Sequence, residues 1–335
     1  MVESMRRRPV VLMLAMCAPL SLAPAQSRAY YEQTYLPAPY NFALRYWFPA
    51  VDGLFNSFDY GHSILYETLW RAPNAPNDEL DGKQFRFITT RLLPHPPGVP
   101  LDEAAIAPNW NKLAPEILMT FDWAHMLHRQ LYDIWSDDRI PPSAKDDKVR
   151  QAVSYYRSRP ALALSSKPKT MDLMEGQPYS LAFRKRFPRY NGLIWSYHWL
   201  QMVLYDALMV PRATRQQAVD EVVGRFWAML DQSGEKLPTM MPQSAAIAPC
   251  FSERYPEAAI IFDNLHALHD VVSDILANPV VPHHRKRQVL LDAAARYRDS
   301  TSSVTSVDEW RTMSLDMGIA NMGGRTTASS ACPTP

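Results

Sequence analysis

The run PEILMTFDWAHMLHRQLYDI, from Pro115 to Ile134, returns as PEAAIIFDNLHALHDVVSDI from Pro256 to Ile275. Both copies keep Phe-Asp-x-x-His-x-Leu-His, at Phe121, Asp122, His125, Leu127, His128 and at Phe262, Asp263, His266, Leu268, His269. Both open on Pro-Glu. Proline fits the first helical position and glutamate suits the positive end of the helix dipole. Each copy therefore reads as one helix carrying two histidines at i and i+3.

The match extends over nearly the whole chain. Pro39 to Leu69 lies over Pro178 to Leu208 without a gap, and among the shared positions are Arg45/Arg184, Gly53/Gly192, Leu65/Leu204 and Tyr66/Tyr205. AAIAP at Ala104–Pro108 recurs at Ala245–Pro249, and TMDLMEG from Thr170 is echoed by TMSLDMG from Thr312. A fixed-period self-match makes the repeat the first fact of the architecture. The expected fold is an all-α, internally duplicated helical bundle with pseudo-twofold symmetry and long Pro-rich loops. Residues 26–176 form its first unit and 177–318 its second.

Within each unit the order of elements should be the same. A first helix is expected over Val51–Trp70 and Tyr190–Met209, the motif helix next, and a third over Lys145–Arg159 and His284–Arg298. Between the first two, Thr214–Leu230 shows helical spacing of Ala218, Val222, Phe226 and Met229. Its counterpart, 74–100, is richer in Pro and Asp, and Phe85–Leu93 is the best strand candidate in the chain. Arg45/Arg184 and Tyr40/Tyr179 read as a packed Arg-aromatic turn that seats the first helix, with anion contact at the site mouth as the alternative. No glycine-rich phosphate loop, haem-attachment CxxCH or Gly-x-Ser-x-Gly elbow occurs in the sequence.

Arg6-Arg7-Arg8, an apolar run to Leu22, and then Ala23-Pro24-Ala25 form the pattern of a signal peptide, residues 1–25. The expectation is export to the periplasm or beyond, with the apolar run too short to remain as a membrane anchor. The chain has 35 basic and 34 acidic residues, and loss of the segment would remove three arginines and one glutamate. So balanced a surface argues against nucleic acid as a partner. Of the cysteines, Cys250 and Cys332 would remain, able to form one pair. Cys332 lies in residues 319–335, whose Thr, Ser and Pro content reads as a disordered tail.

Two acid-plus-two-histidine helices suggest a metal site between the halves. His125 with His128, and His266 with His269, are one turn apart and can each chelate an ion. Asp122 and Asp263 would serve as ligands of a second ion or orient a histidine ring. The first helices add Asp59-x-x-His62, aligned with His198-x-x-Gln201, so that Asp59, His62 and His198 should close the rim. The order, acid or His followed by Asp-x-x-His, twice over, is similar in layout to ferritin-like dimetal carboxylate bundles. It departs from them in having Asp for Glu and in the extra His128 and His269. His269-Asp270 also resembles the doublet of HD-type phosphohydrolases, though Arg129 stands in the first copy. His95, His283 and His284 adjoin prolines and read as solvent-facing.

The function this implies is an exported metalloprotein with a dinuclear His/Asp site, acting as a metal-dependent oxidoreductase on dioxygen or peroxide and a small-molecule substrate. Iron is the first expectation, and the excess of histidine also suits copper or zinc. The alternatives are a zinc-type hydrolase, or a non-catalytic scaffold whose Asp-His pairs are structural and whose aromatic ends bind a partner protein.

Overall fold

The computed structural model describes residues 35–100, 102–231, 233–330 and 332. The segment read as a signal peptide lies outside them. Among the described residues every named element is helical. In chain order these elements begin with α1 (Ala43–Trp47), α2 (Pro49–Arg71), α3 (Phe85–Phe87), α4 (Glu103–Ile106), α5 (Pro108–Leu113), α6 (Pro115–Ser136) and α7 (Pro142–Arg157). After α8 (Asp172–Glu175) come α9 (Ala182–Arg186), α10 (Pro188–Met209), α11 (Arg212–Met229), α12 (Ser244–Ile247), α13 (Pro249–Arg254), α14 (Pro256–Ala277), α15 (Lys286–Arg298) and α16 (Val307–Asp316). None of the described helices is long and apolar enough to cross a membrane.

Proline sets the starts. Phe48, Ala114, Phe187 and Tyr255 each precede a proline at the head of a long helix, and each has φ between −131° and −143° with ψ near 60°. The ring of the following proline pushes its predecessor out of the α region. It therefore ends the short helix before it and starts the long one after it. α2, α6, α10 and α14 then form the central layer. Every residue of α10 from Tyr190 on and of α14 from Ala258 on is buried, as expected of helices surrounded on all sides.

The same contacts recur at the repeat spacing. Asp133 accepts the backbone N–H groups of Phe42 and Leu44 at 2.8 Å, and Asp274 those of Leu181 and Phe183 at 2.7 and 2.8 Å. Phe42 and Leu181 both take a left-handed φ, 69° and 64°. The Lys145 amine donates to the carbonyls of Ile134, Trp135 and Asp137, and the Lys286 amine to those of Ile275, Leu276 and Asn278. Each lysine thus satisfies carbonyls that the end of a motif helix leaves open. Glu67 caps α5 through Asn109 and Trp110, and Asp206 caps α13 through Cys250 and Phe251. Arg45 lies over the Phe42 ring and bonds Asp52, while Arg184 lies over Trp195 and bonds Glu175. Both arginines pack on aromatic rings, but on Phe42 and Trp195, while Tyr40 meets Arg139 and Lys148.

Two expectations are corrected. Phe85–Leu93 is not a strand: it belongs to a helical segment with π-helical turns at Glu79–Gln84 and Ile88–Leu92. Its β-branched and aromatic residues favour a strand locally, but Leu80, Phe85, Ile88 and Leu92 fall on one side of a helix and are buried together. Nor do the described residues of the expected tail, 319–330 and 332, lack structure. They form 3-10 turns at Ile319–Met322 and Ala328–Ser330, bury Met322, Thr326, Ala328 and Ser329, and are tied to α13 by a disulfide between Cys250 and Cys332. Composition suggested disorder; a covalent tie and apolar anchors override it.

Candidate metal centre

Six histidines meet in the middle of the central layer. His62 comes from α2, His125 and His128 from α6, His198 from α10, and His266 and His269 from α14. All are buried, with His125, at 8% exposure, the most open. Their rings form one continuous cluster. Centroids lie 4.2 Å apart for His62–His269, 4.1 Å for His198–His266, 5.5 Å for His125–His269 and 5.8 Å for His128–His266.

Within the cluster, His62, His198 and His269 each offer one ring nitrogen, and the three lie within 4.8 Å of one another. They can hold one metal ion. His269 Nδ1 and His198 Nε2 are 3.3 Å apart. His62 Nδ1 is 3.3 Å from the Phe58 carbonyl, to which it donates, and this fixes the tautomer with a lone pair on Nε2. That Nε2 is buried and has no hydrogen-bond partner.

The electrostatics favour neutral rings. Burial lowers the His62 pKa to about 4 and that of His125 to about 3, with His62 and the Arg129 guanidinium adding to the shift at His125. His128, His198, His266 and His269 are held well below the usual range, again first by burial. Neutral imidazole is the form that ligates metals. Orphaned ring nitrogens remain on all six residues, both of them in His266. A buried polar atom left unsatisfied costs on the order of 1–3 kcal/mol. So many at one point suit a site built to receive a cation.

Tyrosines surround it. The Tyr205 hydroxyl donates to the His128 carbonyl at 3.3 Å and accepts from His128 Nδ1 at 2.9 Å, which leaves His128 Nε2 as the lone-pair nitrogen. Tyr66 donates to the His269 carbonyl at 3.5 Å. Tyr132 stacks on Tyr205 at 4.5 Å.

The residues expected at the site are arranged differently from their sequence order of importance. His62 and His198, read as rim, sit in the triad with His269. His125, His128 and His266 flank it. Asp59 lies 3.7 Å from His125 Nδ1. Asp122 is half-buried on α6 and outside the triad. The reading of Asp263 as a partner of the histidines is corrected. It accepts from the Ser244 backbone and hydroxyl and from Trp310 Nε1, tying α14 to α12 and α16. On a helix, three residues' separation turns a side chain by about 60°, enough to address a different neighbour. Asp270, of the HD-like doublet, accepts from Trp195 Nε1 at 2.9 Å. His95, His283 and His284 are exposed.

Sequence reading gave little weight to Tyr205 and Tyr132. Tyr205 did survive in both copies, the one signal that pointed to it. Compared with known proteins, the chain matches no family model, no curated sequence and no solved structure. Its site must be read from its own geometry.

Proposed function

We propose that this chain is an exported metalloprotein that binds a transition metal through His62, His198 and His269 and uses it for oxidoreduction with dioxygen or a peroxide. The observation that carries this is the triad: three neutral, buried imidazoles from three helices and both units, their nitrogens within 4.8 Å of one another. An imidazole set suits iron, copper, zinc or nickel. The bound ion would supply the electron-transfer chemistry. The protein's part is to fix the rings, exclude bulk water, and order protons on its own groups.

Burial of every ring supports a small oxidant over a bulky hydrolytic substrate. The Tyr205 hydroxyl on His128, with Tyr132 stacked behind it, places oxidisable side chains beside the cluster, a further support for redox over zinc-type hydrolysis. The basic-then-apolar start of the chain and the Cys250–Cys332 disulfide support an oxidising compartment.

We read the two units as related by a pseudo-twofold axis, supported by reciprocal contacts. Tyr66 of the first reaches His269 of the second, while Tyr205 of the second reaches His128 of the first. His125 lies beside Asp59, and its counterpart His266 beside His198. The second ion of a dinuclear site would fall to His125, His128, His266 and Asp59.

The test is elemental analysis of the mature protein purified without chelators, with His62→Gln, His198→Gln and His269→Gln each compared. Wild type should carry iron, copper or another transition metal, each variant should lose it, and the helical circular dichroism should persist. A wild type that stays metal-free after reconstitution, or variants that keep their metal, would sink the reading. Optical and electron paramagnetic resonance spectra, before and after peroxide, then separate a redox ion from zinc.

A further inference from the structure

The histidine cluster is buried, yet a row of aromatic rings runs from it toward the surface. The His128 ring lies 5.8 Å from Tyr205, Tyr205 stacks on Phe251 of α13 at 3.9 Å with planes 10° apart, and Phe251 meets Tyr255 at 5.5 Å. Tyr255 stands at the joint between α13 and α14 and is 8% exposed. Its hydroxyl donates to Asp146 of α7, whose side chain is 35% exposed. Arg254 also donates to that carboxylate, at 2.8 and 3.0 Å, and these hydrogen bonds hold the carboxyl below the ordinary range. Asp146 is therefore ionised at neutral pH and able to take the phenolic proton that it already accepts in a hydrogen bond.

Trp135 comes next, 6.1 Å from Tyr255, but Lys145 and Arg254 lie over its ring at 5.3 and 5.2 Å. Two cations there oppose a positive charge on the indole. Arg254 lies over Tyr255 too, at 5.8 Å, but a tyrosine that gives up a proton together with its electron carries no charge to repel. The row thus has its oxidisable end at Tyr255.

This end belongs to one unit. At the repeat spacing Tyr205 and Phe251 correspond to Tyr66 and Trp110, which also pack together, at 4.8 Å. There the counterpart of Tyr255 is Ala114, that of Asp146 is Arg287, and Trp110 is wholly buried. Phenol and carboxylate are missing together. Core packing accounts for aromatic rings in both units, but not for an acid set on a phenol in one of them.

We propose that Tyr255 is the electron entry of this protein, a residue that relays single electrons from an outer-sphere donor at the surface to the buried centre, with Asp146 as its proton acceptor. This rests on the reading of the histidine cluster as a redox metal site. One electron leaves the Tyr255 ring for the oxidised centre across Phe251 and Tyr205, and the phenolic O–H breaks as its proton passes to Asp146, leaving a neutral tyrosyl radical. A one-electron donor then reduces the radical, and the proton returns from Asp146 to the phenolic oxygen. Such a donor never has to reach the histidines.

The test uses metal-loaded protein, hydrogen peroxide as oxidant and ferrocyanide as donor, with metal content and the optical response to peroxide recorded for every sample. Wild type should oxidise ferrocyanide, and when frozen after peroxide without donor it should show a tyrosyl signal by electron paramagnetic resonance. Tyr255→Phe, which keeps the ring, and Asp146→Asn, which keeps an acceptor oxygen without its basicity, should each slow ferrocyanide oxidation by at least about tenfold. Metal content and the response to peroxide should stay as in wild type, and Tyr255→Phe should lose most of the radical signal. Trp110→Phe, in the row that ends inside the protein, should change none of these. The relay is overturned, and the metal reading left standing, if a metal-loaded, peroxide-responsive wild type does not oxidise ferrocyanide. Undiminished oxidation or an unaltered signal in Tyr255→Phe, or an equal loss in Trp110→Phe, does the same. A wild type that holds no redox metal overturns both. Should Asp146→Asn not fold, Tyr255→Phe decides alone.

Discussion

Both ring nitrogens of His266 are buried without a hydrogen-bond partner, and the histidines around it share that condition to differing degrees. Their neutrality has a pH signature. In the metal-free protein, His62 and His125 have folded pKa values of about 4 and about 3 against 6.5 for an open imidazole. The unfolded chain therefore binds more protons below pH 6.5, and stability present above that value is lost as the pH falls toward the folded pKa. For His62 alone this amounts to at most about 3 kcal/mol. Thermal melts of metal-free protein should fall steeply from pH 6.5 to 4, and His62→Gln should flatten the slope. A pH-independent melt would contradict the neutral cluster. Tyr205→Phe should cost about 1–3 kcal/mol by stripping His128 Nδ1 of its partner, measured by urea unfolding. That six histidines belong together was legible from the repeat and the i, i+3 spacing. Which three converge was not, because that depends on rotamers and on the rotation of each helix about its axis. Asp263 shows the limit: one residue type, one turn away, and aimed at Trp310 instead.

At the scale of elements, punctuation was the most readable part of the sequence. Pro115-Glu116 and Pro256-Glu257 open the two motif helices where they stand, since a proline ring acts through local sterics alone. Capping by remote side chains was hidden, because Asp133 and Asp274 serve turns about ninety residues away in sequence. Asp274→Ala should leave two backbone N–H groups of the α9 turn unpaired and cost about 1–3 kcal/mol. Hydrogen exchange at Leu181 and Phe183 should accelerate while that at Phe42 and Leu44 does not. Equal acceleration in both turns would show that the caps do not act locally. The strand expected at Phe85–Leu93 failed for the opposite reason, tertiary burial of a helical face overruling local preference.

For the whole molecule, the disulfide between Cys250 and Cys332 joins residues 82 apart and secures the segment that composition alone made look loose. Cys250→Ser should lower stability by about 2–4 kcal/mol through the freedom regained by the unfolded chain, seen as a lower urea midpoint. An unchanged midpoint would mean that Met322 and Ala328 hold the segment without help.

The paired tyrosine contacts, Tyr66 to His269 and Tyr205 to His128, bear on ancestry. Two identical copies of one unit, joined face to face, would make both contacts by symmetry, as isologous partners do. The proposed pseudo-twofold reading implies descent from a homodimer fused into one gene. Such a fusion would release each side from having to serve both roles. Position 59 kept an aspartate while its counterpart 198 is histidine, and position 62 holds histidine where 201 holds glutamine. On that reading a symmetric pair could not gather the equivalents of His62, His198 and His269 alone; such lopsidedness requires partners encoded separately.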